Sequence, residues 1–149
     1  MWSVSIRRYD GLGAVDVNGF PEIWFKDFSG RDPASSTELK QVEEVLQRKL
    51  PLDFREFLSQ TNGGEGFIGD NYLIVWGTAE LAEMNHSYEA AEMIPGMLIF
   101  GSSGGGEAYC FDYRSQAVQV VRVPFIGMCL EDAKLMAANF RDFLGNLSK

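Results

Sequence analysis

Histidine and cysteine are nearly missing from this 149-residue chain, which carries one His and two Cys. His86 has no second histidine and no nearby cysteine, so the residue supply argues against a metal centre. The two thiols, Cys110 and Cys129, lack metal-ligand spacing and sit in apolar stretches, which predicts buried free cysteines in a reducing cytoplasm. Basic residues are also scarce: 13 Lys and Arg stand against 21 Asp and Glu, a formal charge of −8. That balance disfavours nucleic acid and anionic membrane as partners and suits a basic one. No apolar run approaches the length of a membrane span. The opening "MWSVSIRRYDGLG" has two arginines but neither an apolar core nor a small-residue cleavage site, so a soluble, cytoplasmic protein is expected.

What is present is an ordinary globular composition, 46% hydrophobic and 23% charged. One domain over residues 1–149 is expected, with residues 1–32 a less readable N-terminal extension. A chain of this size can bury about 70% of its unfolded surface without metal or disulfide support. Within the extension, "FPEIWFKDF" reads as extended pieces that pack through Phe20, Ile23, Trp24, Phe25 and Phe28. From Ser35 the pattern becomes helical: Ser35 and Glu38 have capping-box spacing, and Leu39, Val42, Leu46 and Leu50 recur on one face. This helix is expected from about residue 36 to the residue before Pro51.

In "LPLDFREFLSQTNGG" a second helix is expected, with Asp53 as its cap, Glu56 completing a box, and Leu52 stapled against Phe57. Phe54, Phe57 and Leu58 form its buried stripe, and Asn62, Gly63 and Gly64 stop it. "YLIVWG" reads as a strand, and Thr78 as the cap of a helix that ends before Pro95. "GMLIFG", "EAYCFDY" and "AVQVVRV" read as strands, the last two joined by a short hairpin connection. From Glu131 an amphipathic helix is expected, with Met136, Phe140, Phe143, Leu144 and Leu147 on one face. The fold class is therefore α+β: a mixed, largely antiparallel sheet with helices before and after it.

The glycine burst in "LIFGSSGGGEAYCFDY" admits three chemistries. A phosphate-binding loop needs a lysine and a hydroxyl residue opening a helix, whereas here Glu107 and a strand follow. Gly101, Ser103 and Gly105 spell G-x-S-x-G, yet a nucleophile elbow needs a helix after the serine and a histidine downstream. His86 lies upstream, so a serine hydrolase is the weaker alternative. A bulged turn between strands accounts for the glycines. Glu80, Glu83, Glu89 and Glu92 make an acidic flank that reads first as a solvated helix face. Glu107 and Asp112 differ by an odd step along one strand, which does not support a carboxylate pair. Tyr72, Trp76, Tyr88, Tyr109 and Tyr113 read as packing residues, since the interleaved cations of a base-stacking surface are lacking. No catalytic, metal-binding or cofactor-binding residue emerges.

The punctuation of the chain resembles the SUKH superfamily, the Smi/Knr-like proteins, over roughly residues 33–147. The matching pattern is a helix with a central glutamate (Glu43 or Glu44), then Leu50, Pro51, Phe54, Phe57 and Leu58, then Asn62, Gly63 and Gly64. A glycine-rich turn with a following aromatic and aspartate is matched by Gly101, Gly104, Gly105, Tyr109 and Asp112. The resemblance implies an α+β fold and, in bacteria, an immunity protein that binds and neutralises a cognate toxin, often a nuclease. Fungal relatives imply the alternative of a regulatory or scaffold protein in cell-wall synthesis and signalling. Neither role implies catalytic residues. The acidic charge suits a basic toxin, and Glu65, Asp70, Tyr72 and Glu107 are the candidate contacts, as loop acids and an aromatic.

Overall fold

A computed structural model describes residues 20–149. The first 19 residues of the expected N-terminal extension lie outside the described residues. Phe20, Phe25 and Phe28 are buried in the core, so the described part of that extension is built into the fold. Residues Glu22–Phe25 form one 3-10 turn rather than an extended piece, and Ile23 points away from the core at 64% exposure. Strand β1 follows at Asp27–Gly30.

Helix α1 (Ser36–Leu46) starts on the expected capping box, with Ser35 Oγ accepting from Glu38 N–H and Glu38 accepting from Ser35 N–H. It ends four residues earlier than the apolar spacing suggests. Gln47 turns left-handed at φ 54°, and the chain bends so that Leu50 is buried from outside the helix. Helix α2 (Leu52–Leu58) has Pro51 at its N-cap and no side-chain cap. Asp53 instead accepts from the backbone N–H of Arg141 at 3.0 Å, and Leu52 is 79% exposed, too far out to staple anything. Phe54, Phe57 and Leu58 are fully buried, as their spacing requires.

Strands β2 (Gly64–Ile68) and β3 (Asn71–Val75) form a tight hairpin. Gly64 opens β2 because β1 crosses so closely: a Cβ there would lie 2.8 Å from the Phe28 ring. Asn62 does not stop α2. Its amide exchanges two hydrogen bonds with Thr78, at 2.9 and 2.8 Å, so Thr78 ties two loops together and caps no helix. Helix α3 (Leu81–Ser87) begins later, and left-handed Glu89 separates it from α4 (Ala90–Met93). The expected single helix is thus two short ones.

Strands β4 (Met97–Ser102), β5 (Glu107–Asp112) and β6 (Gln119–Pro124) follow as the sequence suggests. The segment after Glu131 is not one helix. Lys134–Ala137 forms β7 on the edge beside β6, and only Phe140–Leu147 is helical (α5), capped by Asn139, which accepts from Asp142 N–H at 2.7 Å. Backbone pairing of Leu135 with Val121 and Lys134 with Arg122 outweighs the helical spacing of Met136.

Among the described residues, seven strands join one antiparallel sheet in chain order, β1 to β7. A bulge between Ile99 and Gly101 accommodates Phe100, whose ring meets Phe111 at 4.3 Å, Phe140 at 5.5 Å and Phe54 at 5.6 Å. These rings, with Phe57 and Phe143, weld α2 and α5 to one face of the sheet. Strand β3 pairs with β4 at only two positions before leaving it. Asn85 of α3 then takes over, its amide bonding both the N–H and the C=O of Ile99 at 2.8 Å, so the exposed edge is satisfied. Cys110 is buried on β5, whereas Cys129 is only half-buried, its thiol donating to Asp132; both are free thiols.

Candidate functional site

Among the described residues, no helix covers one face of β1 to β3. Register puts Glu65 opposite Ile74 and Phe67 opposite Tyr72, with Ser29 beside Glu65 and Asp27 beside Phe67. These residues share a face because side chains alternate along a strand and cross-strand partners point together. Asp27, Ser29, Glu65 and Phe67 are exposed, and Tyr72 and Ile74 half-buried, while Leu73, Val75 and Ile68 on the opposite face are fully buried.

The centre of this face is a fixed aromatic and acidic group. Tyr72 donates its hydroxyl to Glu65 at 2.5 Å, and that hydrogen bond to the carboxylate raises the phenol above its usual 10.0. Phe67 stands edge-on to the Tyr72 ring, centroids 5.1 Å apart. Phe67 is 48% exposed, a large apolar side chain held in water beside a carboxylate.

The glycine turn abuts the same group. Gly104 has φ +80°, and a Cβ there would lie 2.7 Å from the Tyr72 ring. The turn is therefore a strand connection whose glycine permits both a left-handed backbone and a close approach, and the bulge expected in it lies instead before it, at Phe100 of β4. Its hydroxyls serve the turn: Ser102 Oγ accepts from Gly104 N–H at 2.8 Å, and Ser103 Oγ from Gly105 and Glu107 N–H at 3.2 and 3.3 Å. A strand, β5, follows directly, and His86 lies exposed on α3. Ser103 thus stands in a turn geometry and not on a strand-to-helix elbow.

Of the four candidate contacts, the structure joins Glu65 and Tyr72 directly. Glu107 is one turn away, linked through the Ser103 backbone (Ser103 N–H to Glu107 O, 3.0 Å), and lies 3.9 Å from Arg122. Asp70 sits apart at the exposed tip of the β2–β3 hairpin, where neighbouring Asn71 donates to the Leu147 carbonyl at the end of α5. Sequence reasoning missed Phe67 and Asp27. The signal for Phe67 was present: it lies two residues after Glu65 in a strand alternating Gly, acid, Gly, aromatic.

The remaining acids divide by partner. Asp112 is held below its usual 3.8 by a two-pronged pair with Arg114, at 2.9 and 3.0 Å. It occupies the far end of β5 from Glu107, which separates the two carboxylates. Glu80 pairs with Arg31 at 2.6 Å, so the acidic flank around His86 is not wholly free. Trp76 is buried and stacks on Tyr88, which meets Phe125 at 4.7 Å; Tyr109 packs against Phe143. Among the described residues, no group of three or more His, Cys, Asp or Glu converges as a metal site, and no helix is long and apolar enough to cross a membrane.

The glutamate of the α1 pattern resolves to Glu43, which is buried, while Glu44 is exposed. Its carboxylate accepts from Leu50 N–H at 2.8 Å and from Arg55 at 2.7 Å. Glu43, Leu50, Phe54 and Phe57 therefore build the α1–α2 corner rather than a contact surface.

Comparison with known proteins agrees with that pattern. The chain is similar to YnaB of Bacillus subtilis (strain 168), a protein described as uncharacterised, with 37% identity over 67 residues. That match covers 45% of this chain and 46% of the relative, so the two are alike over about half their lengths. Residues 33–146 match the SMI1/KNR4 family (SUKH-1) profile as one stretch spanning both the α1–α2 corner and the glycine turn. The buried glutamate, the Leu-Pro corner and the glycine turn thus lie within a match covering most of the sequence, and the chain belongs to the SMI1/KNR4 (SUKH-1) family.

Proposed function

We propose that this protein is a non-catalytic binding module of the immunity type, which binds and neutralises a cognate bacterial toxin with a basic surface in the cytoplasm. The observation that carries this reading is the open face of β1 to β3, where exposed Phe67 and half-buried Tyr72 stand beside Glu65 and Asp27. An aromatic anchor ringed by polar groups is the usual anatomy of a protein interface. The acids give the encounter its direction, since a chain of charge −8 attracts a basic partner and fixes its approach. Asp70 adds charge at the hairpin tip, and Glu107, on the side of β5 that carries Tyr109 and Arg122, adds charge beyond the glycine turn. The non-catalytic part of the reading rests on the serine hydroxyls, which are engaged by the turn's own amides.

Co-expression with the toxin encoded by a neighbouring gene tests the proposal. Survival with this protein, death without it, and a salt-sensitive complex of the purified pair are expected. Equal killing in both cases, with no complex formed, would reject the immunity reading and favour the scaffold role.

A further inference from the structure

Four cations of this acidic chain, Lys40, Arg48, Lys49 and Arg55, lie close together. A cleft of about 840 Å³ opens between the start of α1, the Lys49–Leu52 corner and the β5–β6 connection. Leu50, Pro51, Leu52 and Val118 give it aliphatic walls, and Lys40, Lys49 and Arg55 supply positive charge. Leu52 is its most exposed apolar residue, and Lys49 stands 92% in water. The one carboxylate that lines it, Glu43, is buried and already engaged by Leu50 and Arg55 and, at 3.8 Å, by Lys49, whose ammonium stays in water with donors to spare. Arg55 gives one nitrogen to Glu43, and a guanidinium has five N–H donors, so capacity remains for another acceptor. An adjoining hollow of about 370 Å³ shares Lys40, Glu43 and Lys49 and adds Arg48 and Glu44. The two together form a groove in which exposed cations outnumber exposed acids, the reverse of the chain as a whole.

We infer that this groove is a docking site for an acidic, extended peptide segment of a partner protein. Its carboxylates pair with Lys40, Lys49 and Arg55, and an aliphatic side chain lies against Leu50, Leu52 and Val118. Charge complementarity selects the acid, and the walls select the aliphatic residue. A nucleic acid fits less well. Its bases need an open ring to stack on, yet Tyr113 is covered by Arg48, 4.4 Å from the ring centroid, and its hydroxyl is tied to the Lys49 carbonyl. This site and its acidic occupant are separate from the acidic sheet face and its basic partner, so either can fail without the other.

The test uses three dye-labelled probes on the full chain, read by fluorescence anisotropy: a short peptide of Glu and Asp interspersed with Leu, its Lys-for-acid counterpart, and a short single-stranded oligothymidine. The acidic peptide should bind at least about tenfold more tightly than either other probe. Binding should weaken several-fold in K40E/K49Q and in Leu52→Asp, with melting temperatures close to wild type because all three side chains are exposed. Absence of acidic-peptide binding, equal binding by the variants, or preference for the oligonucleotide would overturn the inference. So would sedimentation showing wild-type self-association that K40E/K49Q abolishes, which would assign the groove to a second copy of the chain.

Discussion

The carboxylate of Glu43 receives the backbone N–H of Leu50 at 2.8 Å, across the bend that separates α1 from α2. The same group takes the Arg55 guanidinium at 2.7 Å, so one buried acid holds a loop amide and a neighbouring helix together. Removing it strands a buried amide and a partly buried cation, whose desolvation is then unrepaid. Glu43→Ala should destabilise the fold by about 3 kcal/mol, read as a lower midpoint in urea. Glu44→Ala, at an exposed position, should change it by no more than about 0.5 kcal/mol. Equal effects at the two positions would contradict the corner role.

The glycine turn makes a contrast between neighbours. Gly104 has φ +80° with the Tyr72 ring against it, whereas Gly105 lies outside the positive-φ set and meets nothing closer than Ser103 Oγ at 3.8 Å. Gly104→Ala should cost about 1–2 kcal/mol, and Gly105→Ala close to nothing. Paired melting curves decide it, and a Gly105 variant as unstable as the Gly104 one would refute the assignment.

Alkaline pH should unfold the protein. Burial pushes the Cys110 thiol from 9.0 to about 12, and burial pushes the Tyr113 phenol from 10.0 to about 12. Both groups are held neutral in the fold, so their contribution is complete below pH 9 and lost as pH rises toward 12. The urea midpoint should fall through that window, and Cys110→Ala should flatten the lower part of the fall. In native protein near neutral pH, a thiol reagent should modify Cys129 and not buried Cys110, and slowly, because the hydrogen bond to Asp132 raises the Cys129 thiol above its usual 9.0. Native-state labelling of Cys110, detected by mass spectrometry, would show that its burial is wrong.

The sheet face predicts a division between affinity and rate. Phe67→Ala should speed dissociation from a basic partner, because an interface anchor is lost. Charge reversal at Glu65, Asp70 or Glu107 should chiefly slow association, most visibly at low salt where the Debye length is longest. Circular dichroism should report an intact fold for the Phe67, Asp70 and Glu107 variants. A complex whose kinetics ignore all four substitutions would place the interface elsewhere on the molecule.

Much of this protein is local physics that the sequence states by itself. The Ser35–Glu38 box, the Phe54, Phe57 and Leu58 stripe and strands β4 to β6 rest on spacings within one element, which a linear reading measures directly. The lone histidine and the strand after the glycines likewise weigh against a serine elbow without any structure. Other outcomes depended on partners far along the chain. Asp53 could cap α2 by its spacing but bonds Arg141, 88 residues away, and Thr78 bonds Asn62, 16 residues back. Lys134–Ala137 has helical spacing, yet an open edge of β6 drew it into the sheet. Leu39, Val42 and Leu46 put Glu43 rather than Glu44 on the apolar face of α1, but which groups its buried carboxylate meets, Leu50 N–H and Arg55, is set by the bend beyond the helix. The exposed Phe67 face exists only because the helices cover the sheet elsewhere. Periodicity and capping fix which side of an element is apolar; only the closed chain determines which polar groups meet, and which apolar side chain is left without a cover.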